Sequence, residues 1–321
     1  MNSQKKIALM DKYNKEGYTE GIDFLSYAKG FLERGCEVWQ LDHHTINFKT
    51  KTGKVYPITR KGGQIIRSQT PLVKDIEKFD VLVNLGSSIG LNFAKKMERI
   101  NVFKFNPPFA MCRSADKRTY IKNYPEFIPD TLITSSIEEL EKALHERFNG
   151  IMIIKNPFGS CGKEVEKIES GQENYMEILK RFTRDGTYEI VAQRFMHFAY
   201  EGSKRVGVIG KIGEPESYRI LAFYQRKPSK DNWKDNFYQG GVTMEIESLR
   251  PDEEDLCLKV ARRSGLYGVG LDIMDDLDEE GRRVSRLVET NSVLVLQHKF
   301  VKKTLEIPNF ILKELIENGR C

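Results

Sequence analysis

The chain has 321 residues, a length that permits two or three subdomains around a sizeable core. Its composition, 40% hydrophobic and 30% charged, is that of an ordinary globular protein. The net charge of +5 is mild and basic residues alternate with acidic ones, which suits anionic small molecules and argues against nucleic acid. No apolar run approaches the length of a membrane span and the N-terminus lacks a signal-peptide core, so we expect no membrane partner.

The cysteines and histidines show no metal-binding pattern. The five cysteines are odd in number and lack C-x-x-C spacing, which predicts reduced thiols in a cytoplasmic protein. His43 and His44 are adjacent, but adjacent side chains point apart in regular structure. A strand-end loop is therefore favoured over a zinc site.

The N-terminal part of the chain alternates between short apolar runs and one-sided helical patterns. The predicted strands cover residues 6–10, 36–41, 80–85 and 102–105. A helix between the first two strands carries its apolar face on Ile22, Leu25, Ala28 and Leu32. This β-α-β opening predicts a parallel sheet. The turn at 86–90, before a helix near 92–98, is either a ligand-binding loop at the carboxyl end of the sheet or a helix cap.

Two strands at 151–154 and 188–195 are predicted in the middle of the chain. A helix opens at 113–117, and another covers 174–184. The helix at 136–148 is the best marked: Ser136 and Glu139 form a capping box, and its buried stripe is Ile137, Leu140, Leu144 and Phe148.

The remaining third of the chain has the pattern of an antiparallel sheet. Strands are predicted at 205–209, 218–225, 242–246, 268–274 and 283–291. The last two form a hairpin whose turn is the acidic stretch 275–281, and a polar loop covers 226–236. Helices are predicted at 251–263, closed by Gly265, and at 309–318.

A lysine at the end of a buried strand precedes a glycine-containing loop. Lys155 offers a point charge for phosphate, while Gly159 and Gly162 let the backbone approach a ligand and direct its amides at an anion. Neither of the common nucleotide-binding glycine fingerprints occurs here. Alone, a strand that ends in lysine before a glycine turn is more often an ordinary hairpin.

The acidic hairpin is the second candidate site. Glu289 and Asn291 are two apart on a strand and share a face, and Asp272 on the preceding strand can lie opposite. Two carboxylates and an amide oxygen suit magnesium bound together with phosphates. The alternative is a pair of solvated acidic residues. The apolar neighbours favour the metal site, because they indicate a buried setting: Leu271, Ile273, Leu287 and Val288.

Residues 106–292 resemble the ATP-grasp superfamily, specifically its glutathione synthetase branch and the related ribosomal-protein glutamate ligases. Lys155 with Gly159, Ser160 and Gly162 resembles the lysine and phosphate-covering loop of that family. A first motif comprises Asn106, Pro108, Arg113, Asp116 and Lys117, and the resemblance makes Lys117 the second phosphate lysine.

The resemblance also implies roles for residues further along the chain. The adenine-binding hinge would be Gln193, Arg194, Phe195 and Met196. The following element is similar to the family's G-D-K-R and comprises Gly202, Ser203, Lys204 and Arg205, of which Arg205 would bind the nucleotide. The family's acidic residue is Ser203 here, so ribose contact would pass to Glu201. The substrate loop would contain Arg226, Asn236, Gly240 and Gly241, and the magnesium ligands would be Asp272, Glu289 and Asn291.

Two departures from the family pattern bear on the substrates. Lys163 and Glu164 stand where relatives often have a further glycine in the phosphate-covering loop. After Asn291 the chain continues with residues 292–296, Ser-Val-Leu-Val-Leu, in place of a Ser-Pro turn near the amine-acceptor pocket. The identity of the amine is therefore open.

By this resemblance the chain is an α/β protein with the ATP-grasp fold. It implies an N-terminal α/β (pre-ATP-grasp) domain at 1–110, a central lid subdomain at 111–196 and a C-terminal mixed-sheet catalytic subdomain at 197–321. The implied activity is ATP-dependent ligation of a carboxylate to an amine through an acyl phosphate, with Mg²⁺ as cofactor and an amino acid or small peptide-like substrate. A homo-oligomer, dimer or tetramer, is compatible with it.

Three other functions are alternatives to this one. Within the class, the ligase would tailor a peptide or protein terminus. Outside it, the chain would bind nucleotide without turnover, which the intact set of lysines and acidic residues disfavours. A dinucleotide-dependent oxidoreductase is disfavoured because residues 86–90 lack the required glycine spacing.

Overall fold

A computed structural model describes most of the chain. The described residues are 4–11, 22–86, 90–159, 164–230, 232–235, 240–294 and 306–317. Within them, no helix has the length and apolarity that would let it cross a membrane.

The N-terminal sheet combines a parallel centre with an antiparallel extension. In chain order its elements are β1 (Lys6–Asp11), α1 (Ile22–Leu32), β2 (Glu37–Asp42), β3 (Thr52–Lys61), β4 (Gln64–Arg67), β5 (Leu72–Asp75), β6 (Val81–Asn84), α2 (Leu91–Glu98) and β7 (Phe103–Phe105). The strand order is β4-β3-β2-β1-β6-β7, with β5 also on β3. The pairs β1–β2, β1–β6 and β6–β7 are parallel, which confirms the sheet expected from the β-α-β opening.

Two short helices lead into a central antiparallel sheet. The elements are α3 (Pro108–Ala115), α4 (Lys117–Asn123), β8 (Thr131–Thr134), α5 (Ile137–Glu146), β9 (Ile151–Lys155), β10 (Val165–Glu169), α6 (Tyr175–Thr183) and β11 (Ile190–Arg194). The strand order is β10-β9-β11-β8. Half of the predicted capping box of α5 forms: Ser136 accepts from the Glu139 amide at 3.1 Å, whereas the Glu139 carboxylate accepts from Thr134.

The C-terminal sheet carries most of the candidate site. Its elements are β12 (Ser203–Lys211), β13 (Glu214–Lys227), β14 (Val242–Met244), α7 (Pro251–Ser264), β15 (Gly268–Leu277) and β16 (Arg283–Asn291), followed by α8 (Glu306–Phe310). The order β14-β13-β12-β15-β16 is antiparallel throughout. The last helix was predicted as one element, but α8 changes to a π-helical turn over Ile311–Glu317.

The N-terminal and C-terminal sheets share one hydrophobic core. Side chains of β1 and α1 pack in the same cluster as Leu221, Tyr224 and Phe310. Asn106 connects the two sheets through three hydrogen bonds. Its side-chain nitrogen donates to the carbonyls of Gly268 and Ser292 at 2.7 Å each, and its side-chain oxygen accepts from the Gly268 amide at 2.9 Å. The central sheet has a separate core, which its strands form together with α5 and α6.

Three of the differences from the sequence prediction concern residues near the candidate site. The helix expected to open at Arg113 begins at Pro108, and Asp116 ends it and caps α4 by accepting from the Arg118 amide. The stretch predicted as the acidic turn contributes Asp275 and Asp276 to β15, because arginines pair with both carboxylates and permit their burial. Arg226, predicted in a loop, is the penultimate residue of β13.

Candidate active site

Among the charged side chains that line one small cavity, five come from five different elements of the fold. Lys155 ends β9, Lys117 begins α4, Arg226 lies near the end of β13, and Asp272 and Glu289 lie on β15 and β16. The cavity between them has a volume of about 100 Å³. Side chains predicted separately to bind phosphate and metal therefore meet in one place.

Lys155 is buried, and its pKa is lowered. Burial, reinforced by the positive charge of Lys117, lowers the pKa of Lys155 to about 8, while Glu289 acts in the opposite direction. Its ammonium donates to the side-chain oxygen of Gln193 on the neighbouring strand β11. The strand thus delivers a desolvated cation to the cavity, where its attraction for phosphate is stronger than in water.

Lys117 connects the start of the glycine loop to the acidic hairpin. Its ammonium lies 3.1 Å from the Glu289 carboxylate and also donates to the carbonyl of Gly159. Its backbone amide donates to the carbonyl of Pro157 at 3.0 Å. Lys117 is nearly fully buried, so its charge is compensated by Glu289 in place of water.

The acidic pair has the register that the sequence predicted. Asp272 is directly opposite Glu289 in the ladder, and Asn291 is opposite Gly270. Glu289 and Asn291 therefore share one face of β16 next to Asp272. This set supplies two carboxylates and an amide oxygen; the described residues hold no cluster of three or more His, Cys, Asp or Glu side chains suited to a metal.

The residues at this position fit a hard cation. The Asp272 carboxylate is buried, and the amide nitrogen of Asn291 is buried without a hydrogen-bond partner among the described residues. Cationic side chains lie against both carboxylates, with Arg205 Nε 2.5 Å from Asp272 Oδ1. Two oxygen-rich side chains on one strand face and a third opposite are what magnesium bound through phosphates needs from a protein.

Arg226 is a buried residue with anionic partners. Its Nη2 lies 3.0 Å from Asp272 Oδ2 and donates to Ser203 Oγ at 2.8 Å, and Asp235 lies 3.8 Å from its Nε. Burial opposes the charged form, but Asp272 and Asp235 override it and raise the pKa of Arg226. Arg226 is therefore not an exposed loop arginine.

A glycine places the backbone next to Arg226. Gly202 has a φ of +88°, and a Cβ there would lie 1.9 Å from the Arg226 carbonyl oxygen. Any other residue would push β12 and β13 apart at this point. The position of Arg226 therefore requires a glycine at 202. The sequence motif alone did not reveal this requirement.

The residues predicted as the adenine hinge end β11 and continue directly after it, and their surroundings differ. Gln193 donates to Thr131 and accepts from Lys155, and Arg194 pairs with the buried Asp276. Phe195 lies between the rings of Tyr200 and Trp233, at 5.7 and 6.0 Å, and Met196 is buried. The side chains of Gln193 and Arg194 are thus held by the protein, and the hinge role stays a prediction.

Five further predicted residues either have partners within the protein or lie outside the described structure. The Glu201 carboxylate pairs with Arg283 at 2.6 Å, and Arg205 pairs with Asp272. Their predicted contacts with nucleotide stay predictions. Ser160, Gly162 and Asn236 lie outside the described residues.

Two residues of the site were missed by sequence reasoning. Asp235 is buried and accepts from the Ser203 amide at 2.8 Å, and Trp233 lines the cavity beside it. The sequence held one indication of Asp235. Ser203 stands where the family has an acidic residue, and in the structure the carboxylate of Asp235 lies next to Ser203. The cavity of about 100 Å³ is smaller than the roughly 300–1,000 Å³ typical of ligand sites, and Trp233 and Asp235 form part of its lining.

Comparison with known proteins agrees with this geometry. The prokaryotic glutathione synthetase ATP-grasp domain family matches residues 117–280, just over half of the chain. A glutathione synthetase from Coxiella burnetii is 28% identical over 274 residues, covering 84% of this chain and 78% of that protein. One from Brucella melitensis is 26% identical over 215 residues, covering 64% of this chain and 65% of that protein, just under two thirds of its length.

A solved structure extends the comparison to the whole fold. A RimK domain ATP-grasp protein from Sphaerobacter thermophilus matches with a TM-score of 0.64 and 13% identity, over 96% of this chain and 99% of that one. The fold is therefore that of the ATP-grasp proteins. The chain belongs to the prokaryotic glutathione synthetase ATP-grasp family, which confirms the resemblance and fold class expected from the sequence.

Proposed function

We propose that this protein is an ATP-dependent ligase that joins a carboxylate to an amine with release of ADP and phosphate. The observation that carries the proposal is the meeting of Lys117, Lys155 and Arg226 with Asp272 and Glu289 around one cavity. Phosphoryl transfer needs such a set, because catalysis consists mainly of positioning and charge stabilisation. Family membership supports the same conclusion.

The reaction would proceed in two steps without a nucleophile from the protein. An oxygen of the substrate carboxylate attacks the γ-phosphorus of ATP, and the bond to ADP breaks. The amine then attacks the acyl carbon, phosphate leaves with the electron pair of the acyl–oxygen bond, and the amine loses a proton. Lys117 and Lys155 would bind the phosphates, while Arg226 would hold two oxygens of the activated carboxylate.

Asp272, Glu289 and Asn291 would hold Mg²⁺. When bound, the ion neutralises the negative charge that develops on the phosphates during transfer. The chain's own contribution is to place the ligands, and Arg205 and Arg226 fix the Asp272 carboxylate for this purpose.

The deciding experiment is a screen of paired acids and amines by ADP release, with mass spectrometry of the products. Amino acids and small peptides form the first panel, and peptides with free termini form the second. A product with a new amide bond in either panel supports a ligase and identifies its substrate class. Tight ADP binding with no product in either panel would instead favour a nucleotide-binding protein without turnover.

Replacing Lys155 by methionine should weaken ATP binding and raise the stability of the nucleotide-free protein. Its lowered pKa means that the charged form costs folding free energy at neutral pH, a cost relieved as pH rises from about 8 towards 10.5. The variant should gain about 1–3 kcal/mol. ATP titration and thermal unfolding measure both effects. Unchanged ATP affinity would remove Lys155 from the site.

The ATP affinity should fall as pH is raised through the pKa of Lys155, about 8, because the neutral amine loses its attraction for phosphate. The decrease should approach tenfold per pH unit at most, less where bound phosphate keeps the lysine charged. The control is Lys155→Arg, whose guanidinium stays charged over this range. An identical pH profile in both proteins would contradict the assignment.

Nucleotide should protect the segment at 159–162 from amide exchange, because a loop that covers phosphates must open for their entry and close over them. The measurement compares exchange with and without a non-hydrolysable ATP analogue and magnesium. The turn at Gly213, which joins β12 and β13, is the internal control and should not change. Equal exchange at 159–162 in both states would argue against a lid.

A further inference from the structure

A second cavity lies behind the candidate active site. It has a volume of about 380 Å³ and is bounded by α3, α4, the end of α7 and Thr290 of β16. Thr290 follows Glu289 directly, so the two side chains point to opposite faces of the sheet. The cavity is therefore separated from the lysines and carboxylates by the thickness of one strand.

The lining of this cavity is basic and rich in hydrogen-bond donors. Its chemistry comes from Arg113, Ser114, Thr119, Asn123, Arg263 and Thr290. No aspartate or glutamate side chain lines it in the part of the chain that the structure describes. Arg263 is paired with Glu126, so the uncompensated positive charge of the lining is that of Arg113, and it favours an anion.

The two arginines differ in their partners. Arg263 pairs with Glu126, donates to the carbonyl of Asn123 and lies 5.0 Å from the ring centre of Tyr124. Arg113 is exposed, and its guanidinium makes neither an ion pair nor a hydrogen bond with the described residues. Arg263 is thus held in place at the edge of the cavity, and Arg113 has all its donors available.

The neutral groups complete an oxyanion site. The Ser114 and Thr290 hydroxyls lie 3.0 Å apart, and Thr290 Oγ1 also donates to the Ser114 carbonyl at 3.4 Å, so both hydroxyl protons have partners within the protein. The side chains of Thr119 and Asn123 form no hydrogen bond to other described residues. Hydroxyl, amide and guanidinium donors around one space match the several acceptor oxygens of a phosphate or carboxylate.

We propose that this cavity binds a small metabolite through a phosphate or carboxylate group held by Arg113, and that the bound anion changes nucleotide affinity. The binding of the anion does not depend on the proposed ligase activity. The effect on nucleotide affinity rests on the proposed function. Ser114 is three residues before Lys117, and Thr290 is next to Glu289, so their contact joins the two segments that carry the Lys117–Glu289 ion pair on the other face.

Calorimetric titrations with inorganic phosphate and with succinate test the binding. Wild type should bind at least one of them saturably, which identifies the oxyanion class. Arg113→Gln should weaken that binding by about tenfold or more, because a charge-assisted bidentate contact is lost. The exposed Arg99 provides the matched control, Arg99→Gln, which should bind as wild type does. Thermal unfolding verifies that Arg113→Gln is folded.

A Lys155→Met arm separates this cavity from the candidate active site. Anion binding that survives Lys155→Met but is lost in Arg113→Gln supports the proposal. Binding that is lost in Lys155→Met and kept in Arg113→Gln places the anion among the phosphate lysines and overturns it. Absence of saturable binding of both probes to wild type also overturns it.

The coupling is tested by titrating ADP and magnesium with and without the bound probe. Wild type should show a change in ADP affinity of about fivefold or more, and Arg113→Gln should show none. Equal ADP affinity with and without the probe in wild type would refute the coupling. Failure of wild type to bind ADP at all would instead contradict the proposed function and leave the anion site standing.

Discussion

Replacing Glu289 by glutamine should abolish amide formation while the protein stays folded. The change removes one negative charge from the proposed magnesium site without changing the volume of the side chain. Preorganised charge at such a site is worth a few kcal/mol, or roughly a hundredfold or more in rate. Glu289 is partly exposed, but it is the charge partner of the buried Lys117, so the loss in stability should be about 1–3 kcal/mol.

The matching change at Asp272 is expected to cost stability as well as activity. Asp272 is buried against Arg205 and Arg226, so Asp272→Asn leaves two guanidiniums with weaker compensation. Breaking a buried ion pair typically costs about 3–5 kcal/mol. Turnover is measured at saturating magnesium, together with thermal unfolding, and Glu280→Gln on the exposed β15–β16 turn is the control. Near-normal turnover in either site variant would contradict the metal assignment.

Replacing Arg226 by lysine should stop most product formation while ATP still binds. A guanidinium contacts two oxygens of a carboxylate or acyl phosphate at once, and an ammonium cannot reproduce this geometry. The lost contact strengthens as charge moves onto the transferring phosphoryl group, so the effect falls on turnover more than on affinity. We expect a decrease of roughly a hundredfold or more.

Both quantities must be measured on one preparation, because Arg226 is also a structural neighbour of Ser203 and Asp272. Ser203→Ala is the informative comparison: it removes the hydroxyl that orients Arg226 but leaves the guanidinium in place. It should retain more activity than Arg226→Lys. Normal product formation in Arg226→Lys would exclude Arg226 from the site, and loss of both activity and ATP binding would indicate misfolding.

The acidic hairpin shows why part of the site was predictable from the sequence. The alternation of side chains along a strand fixes Glu289 and Asn291 on one face, whatever the rest of the fold does. The antiparallel hairpin then brings Asp272 opposite Glu289, as the ladder shows. Lys155 was predictable for a similar reason, because four apolar residues identify the buried strand that precedes it.

The parts that were missed depend on partners distant in sequence. Asp275 and Asp276 have the composition of a turn, but Arg250 and Arg194 pair with them from positions 25 and 82 residues away. No local pattern contains that compensation. Strands β3 to β5 were missed because they extend the edge of the sheet and carry many exposed polar residues, so their apolar period is weak.

The hydrophobic core that joins both ends of the chain determines how this protein can be dissected. Cutting near residue 110 would uncover Leu221 and Tyr224 of one fragment and the packed face of α1 in the other. Each fragment would also lose the buried amide of Asn106 or the carbonyls it binds. Expression of either part alone should therefore give aggregation, and the smallest separable module is the central one, whose core is its own.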